Sequence, residues 1–141
     1  MLGSFADFKK EVAEQAFDNL EPGGYFESCD LMFPFECDDG TLAQDSALHR
    51  WGIDMAQASA SIDRPLSVAN RLRSWYEEVG FEDVQEQIFK IPVNSWPDDP
   101  RWKEIGRLWQ ENLLNGISGW TLQLYHKVLK RTAEETEVRI L

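Results

Sequence analysis

The chain has 141 residues, of which 43% are hydrophobic and 12% aromatic, enough to build the core of one globular domain and too many for a disordered chain. Its formal net charge of -11 argues against binding to nucleic acids or anionic membranes, because clustered Lys and Arg are needed to meet phosphate groups. The sequence shows neither a signal-peptide pattern nor an apolar run approaching the roughly 20 residues of a membrane span, so we expect a soluble intracellular protein.

The first predicted element is a helix from Phe5 to Leu20, whose apolar residues recur at helical spacing. It cannot continue through Pro22, and the Gly23-Gly24 pair permits positive φ angles before the chain becomes extended. The residues Tyr25–Asp30 are predicted to form a short strand, which makes this segment an α-to-β corner. An irregular acidic loop follows from Leu31 to Thr41, at the end of the strand where α/β folds bind their ligands.

Two further helices are predicted in the middle of the chain. The second helix begins at Asp45 or Ser46 and carries an apolar stripe until Pro65 stops it. The third helix is expected to be capped by Ser67 and to end at Gly80, a residue type that favours the position just after a helix.

The last part of the chain begins with a segment that favours an extended conformation, Phe81–Val93. A proline-rich breaker at Trp96–Pro100 separates it from a helix over Trp102–Leu113, and another helix runs from about Ser118 to Lys130. Thr132 followed by Glu135 is a capping-box pattern for a final helix. We therefore predict an α/β protein that is mostly helical, with about six helices and two strands.

The corner at Leu20–Gly24 resembles the one that precedes the fifth strand of class I S-adenosylmethionine-dependent methyltransferases, where Leu-x-Pro-Gly-Gly recurs. Five further blocks follow it in order: Asp38–Leu42, Val79–Val84, Phe89–Pro92, Trp96–Arg101 and Lys103–Gly106. With these blocks nearly the whole chain resembles the LaeA-like group of fungal methyltransferases. That group contains tailoring enzymes and regulators of secondary metabolism.

The resemblance implies a partial class I methyltransferase fold, which is Rossmann-like. In that family the corner comes late in the domain, after the half that binds the cofactor, whereas here it lies about twenty residues from Met1. The resemblance therefore implies that residues 1–141 form a single truncated domain made of the C-terminal, substrate-side portion and lacking the N-terminal cofactor-binding half.

A site for S-adenosylmethionine on this fold needs a glycine-rich loop at a helix N-terminus and an acidic residue on the ribose hydroxyls. The sequence contains no G-x-G, and Gly23 and Gly24 follow a helix C-terminus, where the helix dipole repels anions. We therefore expect no cofactor-binding residues and no cofactor on this chain alone. S-adenosylmethionine would bind only if a partner chain or a missing N-terminal segment completes the site.

His49 and His126 are the only side chains whose ordinary pKa suits proton transfer near neutral pH. Substrate-side histidines often act as general bases in methyltransferases, so the resemblance points to His49 as the catalytic candidate, against the alternative of an ordinary surface or half-buried histidine. Phe33 in the acidic loop, with Trp96 and Trp102 beside the proline-rich breaker, are the candidates for lining an aromatic substrate pocket.

Candidate metal ligands lie around the acidic loop: Cys29, Cys37, His49 and either Asp38 or Asp39. Their spacing matches no zinc pattern, so we predict no metal site. The two cysteines fit a reduced compartment and offer no disulfide framework. Helix capping and solvation explain the aspartates, although they would also serve a cation or an amine substrate.

These observations favour a methyltransferase-family protein of fungal secondary-metabolite biosynthesis that does not bind S-adenosylmethionine alone. Two hypotheses of other classes stay open: a cofactor-independent cyclase or isomerase, and a non-enzymatic interaction module. The expected partners are a small-molecule metabolite and either a second copy of the chain or a methyltransferase-like chain, with no nucleic acid and no membrane. The expected location is the cytoplasm, and the resemblance also allows the nucleus.

Overall fold

The computed structural model describes residues 3–132, which form helices joined by irregular segments. The chain divides into two compact units, the first ending at Glu86 and the second beginning at Gln87. No helix within residues 3–132 is long and apolar enough to cross a membrane. The final helix predicted after Thr132 lies outside the described residues.

The first helical segment begins with a π-helical turn, Lys9–Glu14, and continues as α1, Gln15–Asn19. It starts later than predicted because the residues before it form its cap. The Glu11 carboxylate accepts hydrogen bonds from the backbone N–H groups of Ala6 and Asp7, at 3.0 and 2.8 Å. These donors are therefore satisfied by a side chain rather than by a helical turn.

The end of this segment agrees with the sequence. Leu20 is already extended, with φ -86° and ψ 137°, and Gly23 has a φ of +83°. The Gly24 N–H donates to the Glu21 carbonyl at 2.8 Å, which closes a tight turn. The predicted break in the helix at the Pro-Gly-Gly sequence is confirmed.

The prediction of two strands is wrong for the part of the chain that the structure describes. Neither Tyr25–Asp30 nor Phe81–Val93 has regular secondary structure. A strand is defined by the ladder it shares with a neighbour, and residues 3–132 supply no such neighbour. The first segment is instead joined by side chains to the helix Leu72–Val79, since the Tyr76 hydroxyl donates to Ser28 Oγ at 2.8 Å.

The second helix, α2, spans Ala47–Ala60 and begins as predicted, because Ser46 Oγ accepts the His49 N–H at 3.2 Å. The third helix, α3, spans Leu72–Val79 and follows a 3-10 turn, Ala69–Arg71. Ser67 does not cap it, since its first turn continues directly from the 3-10 turn and its N-cap residue makes no side-chain cap bond. Its predicted end is confirmed by Gly80, which adopts a φ of +117°.

An aromatic cluster forms the core between the first helical segment and α3. The Phe8 side chain is buried and stacks on Trp75, with ring centroids 6.0 Å apart, while its edge meets Tyr76 at 6.4 Å. Just after α3, Phe81 contacts Phe17 of α1, with ring centroids 5.1 Å apart. Aromatic contacts therefore join the first helical segment to α3 and to the residues that follow it.

The second unit contains one long helix, α4, which spans Pro100–Lys127. The Asp99 carboxylate caps it by accepting the N–H groups of Arg101 and Trp102, and Pro100 occupies the first helical turn. The sequence predicted two helices here, separated around Gly116. They form one, because an isolated glycine weakens a helix by only about 1 kcal/mol and does not end it without a turn to follow.

The segment before α4 crosses it at Gly106, which is buried. A methyl group at this position would clash with the backbone carbonyl of Asn94 and would lie 3.2 Å from the side chain of Pro92. Only glycine therefore permits this close approach of the chain to the helix.

We expect Gly106→Ala to lower the free energy of unfolding by about 1–3 kcal/mol, because the Asn94 backbone must move to admit the methyl group. The matched control is Gly119→Ala on the same helix, where a Cβ would meet nothing within 4 Å. That variant should be neutral or more stable by up to about 1 kcal/mol, since alanine favours helix. Urea unfolding followed by circular dichroism measures both, and equal stabilities would contradict the described crossing.

Candidate functional site

The acidic loop contains a turn closed by Asp39. One carboxylate oxygen, Oδ1, accepts hydrogen bonds from the Cys37 thiol at 2.9 Å, the Thr41 N–H at 3.0 Å and the Thr41 hydroxyl at 2.8 Å. These donors, the thiol first, lower the pKa of Asp39 to about 2. Asp39 is therefore ionised near neutral pH and fixed in a structural turn, which makes it a poor candidate for accepting a proton.

His49 lies in the first turn of α2 and is half-buried. Its backbone N–H is satisfied by Ser46, so its imidazole is not needed for the helix cap. The buried Trp51 lies two positions further along the helix, on a different face from His49. The catalytic role of His49 stays a prediction.

Phe33 lies in the core of the first unit rather than on an open surface. Its side chain is 7% exposed and its ring meets Trp51 at 5.6 Å and Phe35 at 5.7 Å. Phe35 in turn stacks on Trp51. A role for Phe33 in contacting a substrate stays a prediction, and in the described structure this ring packs the acidic loop against α2.

Trp96 and Trp102 belong to the second unit. The Trp96 side chain is 72% exposed and that of Trp102 is 39% exposed. The backbone N–H groups of both are held by side-chain oxygens, that of Trp96 by Asn94 Oδ1 and that of Trp102 by Asp99 Oδ1. Both rings are available as aromatic surface, and their convergence with His49 on a substrate stays a prediction.

Sequence reasoning missed a polar group at the tip of Tyr76, a residue within the predicted third helix. Burial raises the pKa of the Tyr76 phenol, and the nearby charge of Asp30 raises it further, while the hydrogen bond with Ser28 opposes the shift. The phenol therefore stays protonated near neutral pH, and its O–H donates a hydrogen bond to Ser28 Oγ. No local pattern could reveal this group, because its partner lies 48 residues away.

No group of three or more metal-ligating side chains is found among residues 3–132. Cys29 and Cys37 are both exposed, and neither forms a disulfide bond. Gly23 and Gly24 of the corner follow the C-terminus of α1, the end at which the helix dipole disfavours anions.

Comparison with known proteins finds relatives among fungal methyltransferases. The chain is 36% identical to methyltransferase pytC of Aspergillus terreus over 98% of its own length and 42% of that protein. It is 34% identical to the secondary metabolism regulator LAE1 of Cochliobolus heterostrophus, over 82% of the chain and 39% of the relative. It is 27% identical to the protein-methionine methyltransferase laeA of Emericella nidulans, over 86% of the chain and 32% of that protein.

The chain thus spans less than half the length of these relatives. No protein-family model and no solved structure matches it.

The carboxyl of Asp39 should titrate at about pH 2 in the folded protein, against an ordinary value of 3.8. The interactions of the turn are then present above about pH 3.8 and are lost as the pH falls toward 2. Cys37→Ala removes a donor and should raise this pKa, whereas Cys29→Ala should leave it unchanged. Carbon-detected NMR of the carboxyl group measures it, and an ordinary pKa for Asp39 in the unmodified protein would refute the turn.

Proposed function

The chain is a relative of the LaeA-like fungal methyltransferases, and from this premise we propose that it supplies the substrate side of a methyl transfer in fungal secondary metabolism without holding S-adenosylmethionine by itself. The similarity to methyltransferase pytC over nearly the whole chain is the observation that carries this proposal. It relates the chain to methyl transfer.

The proposal that this chain holds no cofactor by itself is supported by the chemistry that such a site requires. The methionine carboxylate of the cofactor needs backbone N–H groups that point toward it, as at a helix N-terminus. The glycine pair of this chain lies after a helix C-terminus, where unsatisfied carbonyl groups face outward. The sequence has no second glycine-rich turn of the required pattern.

A second polypeptide segment would therefore complete the site. Support for such a partner comes from apolar side chains along the two segments whose sequences favour strands. Tyr25 is 97% exposed, Ile88 65% and Phe89 67%. Segments of this kind are usually covered by pairing with a neighbouring strand, so we propose that a methyltransferase-like partner, or a second copy of the chain, covers them.

Isothermal titration of the purified chain with S-adenosylhomocysteine should show no binding tighter than about 1 mM. The reason is that we expect neither the glycine-rich loop nor the acidic residue that binds the ribose hydroxyls on this chain. The same titration after addition of a cofactor-binding partner should show binding. A micromolar dissociation constant for the chain alone would contradict the proposal and favour an ordinary methyltransferase.

A second candidate function is a cyclisation or isomerisation without cofactor, in which His49 moves a proton. The half-buried position of His49 and its independence from the helix cap favour it. Histidine is the side chain that most often serves as a general base.

His49→Ala should abolish any proton-transfer activity and change the free energy of unfolding by less than about 1 kcal/mol, because the side chain lies off the apolar stripe. His126→Ala, on the exposed end of α4, is the control for loss of an imidazole. Thermal unfolding and turnover of an aromatic metabolite are measured together. A large loss of stability with unchanged activity would make His49 a packing residue and favour the interaction module.

A further inference from the structure

A cleft of about 420 Å³ opens in the first unit between the segment Gly3–Lys9 and the region that leads into α3. Its volume falls in the range of small-molecule sites, which is roughly 300–1,000 Å³. None of the residues predicted from the sequence to bind substrate lines it. The cleft therefore raises a separate question, namely which ligand its walls suit.

Four charged side chains line the cleft, and three of them have partners. Lys9 Nζ forms an ion pair with Glu78 Oε2 at 2.6 Å. The Asp7 carboxylate accepts the Lys10 N–H at 3.1 Å and so helps to cap the first helical segment. The fourth is Arg71, whose guanidinium lies over the ring of Trp75, 4.6 Å from its centroid.

The guanidinium of Arg71 makes no ion pair or side-chain hydrogen bond that the structure records within residues 3–132. This is notable in a chain with 25 acidic and only 14 basic residues, where a carboxylate partner would be easy to supply. The cation–π contact with Trp75 restricts the exposed guanidinium without using its N–H groups. The N–H edge of the guanidinium matches a carboxylate, which can accept two parallel hydrogen bonds from it.

Aromatic and aliphatic side chains also line the cleft. Phe8 and Val68 are buried at 4% and 6% exposure, and Phe5 and Pro65 are half-buried beside them. These side chains offer contacts to an apolar body, whereas a polyanion would be repelled by the net charge of the chain. The ligand class that suits both features is a small acid with one carboxylate and an apolar or aromatic body.

We propose that this cleft binds a small apolar carboxylic acid, with Arg71 as the anchor of its carboxylate and Trp75 holding Arg71 in place. The site is independent of the proposed methyl transfer, because neither the cofactor nor His49 takes part in it. The test is therefore a binding measurement that does not depend on turnover.

The probes are benzoate and benzamide, which share a ring and differ in charge, titrated into the full chain and followed by two-dimensional NMR. Benzoate should shift the signals of Trp75 and Val68 to saturation, and benzamide should bind about tenfold more weakly or not at all. Arg71→Leu should weaken benzoate binding about tenfold or more. Arg73→Leu, which removes the exposed Arg73–Glu77 pair on the same helix, is the matched control and should leave binding unchanged.

Arg71→Gln keeps a long polar side chain and serves as a second variant if Arg71→Leu does not fold, with the same expected loss of benzoate binding. Equal affinity for the two probes, an unchanged affinity after loss of the guanidinium, or no saturation by about 10 mM benzoate would overturn the proposal.

Discussion

The packing of Phe8 against Trp75 and Tyr76 is the contact on which the first unit depends. In an α/β domain the ladder of a sheet normally fixes the helices, but residues 3–132 contain no strand. Aromatic side chains take over that role here, and the buried ring of Phe8 aligns the first helical segment with α3. The contacts of Tyr76 with Phe26 and Phe81 then hold the two irregular segments to the same helix. Each such ring pair contributes about 0.5–1.5 kcal/mol beyond its buried area.

Elements with local signals could be predicted from the sequence. Ser46 accepts a backbone N–H group at the start of α2, and Gly80 adopts the left-handed conformation that a helix end favours. The failures occurred where the outcome depended on distant or competing groups. The strands at Tyr25–Asp30 and Phe81–Val93 required a neighbour, and the first helix began late because Glu11 satisfied the donors before it.

The candidate site shows the same division. The sequence drew attention to the acidic loop and to His49, and both are near each other in the chain and belong to the first unit. The sequence could not show that the Cys37 thiol and the Thr41 hydroxyl donate to the Asp39 carboxylate and fix it in a turn. From the sequence alone, both side chains could equally face solvent. It also gave no sign of Arg71, since a basic residue on a predicted helix is normally a solvated one.

Four of the five blocks that follow the corner in the family resemblance have structural explanations in this chain. Asp38–Leu42 is the turn closed by Asp39, and Val79–Val84 contains the left-handed Gly80. Trp96–Arg101 supplies the cap of α4, and Lys103–Gly106 ends at the glycine that Asn94 approaches closely. Turns, caps and close approaches constrain a backbone whatever chemistry it supports, so these blocks are evidence of a shared fold. Activity depends instead on the groups that would touch a methyl donor and hold it beside its acceptor, which turns and caps do not do.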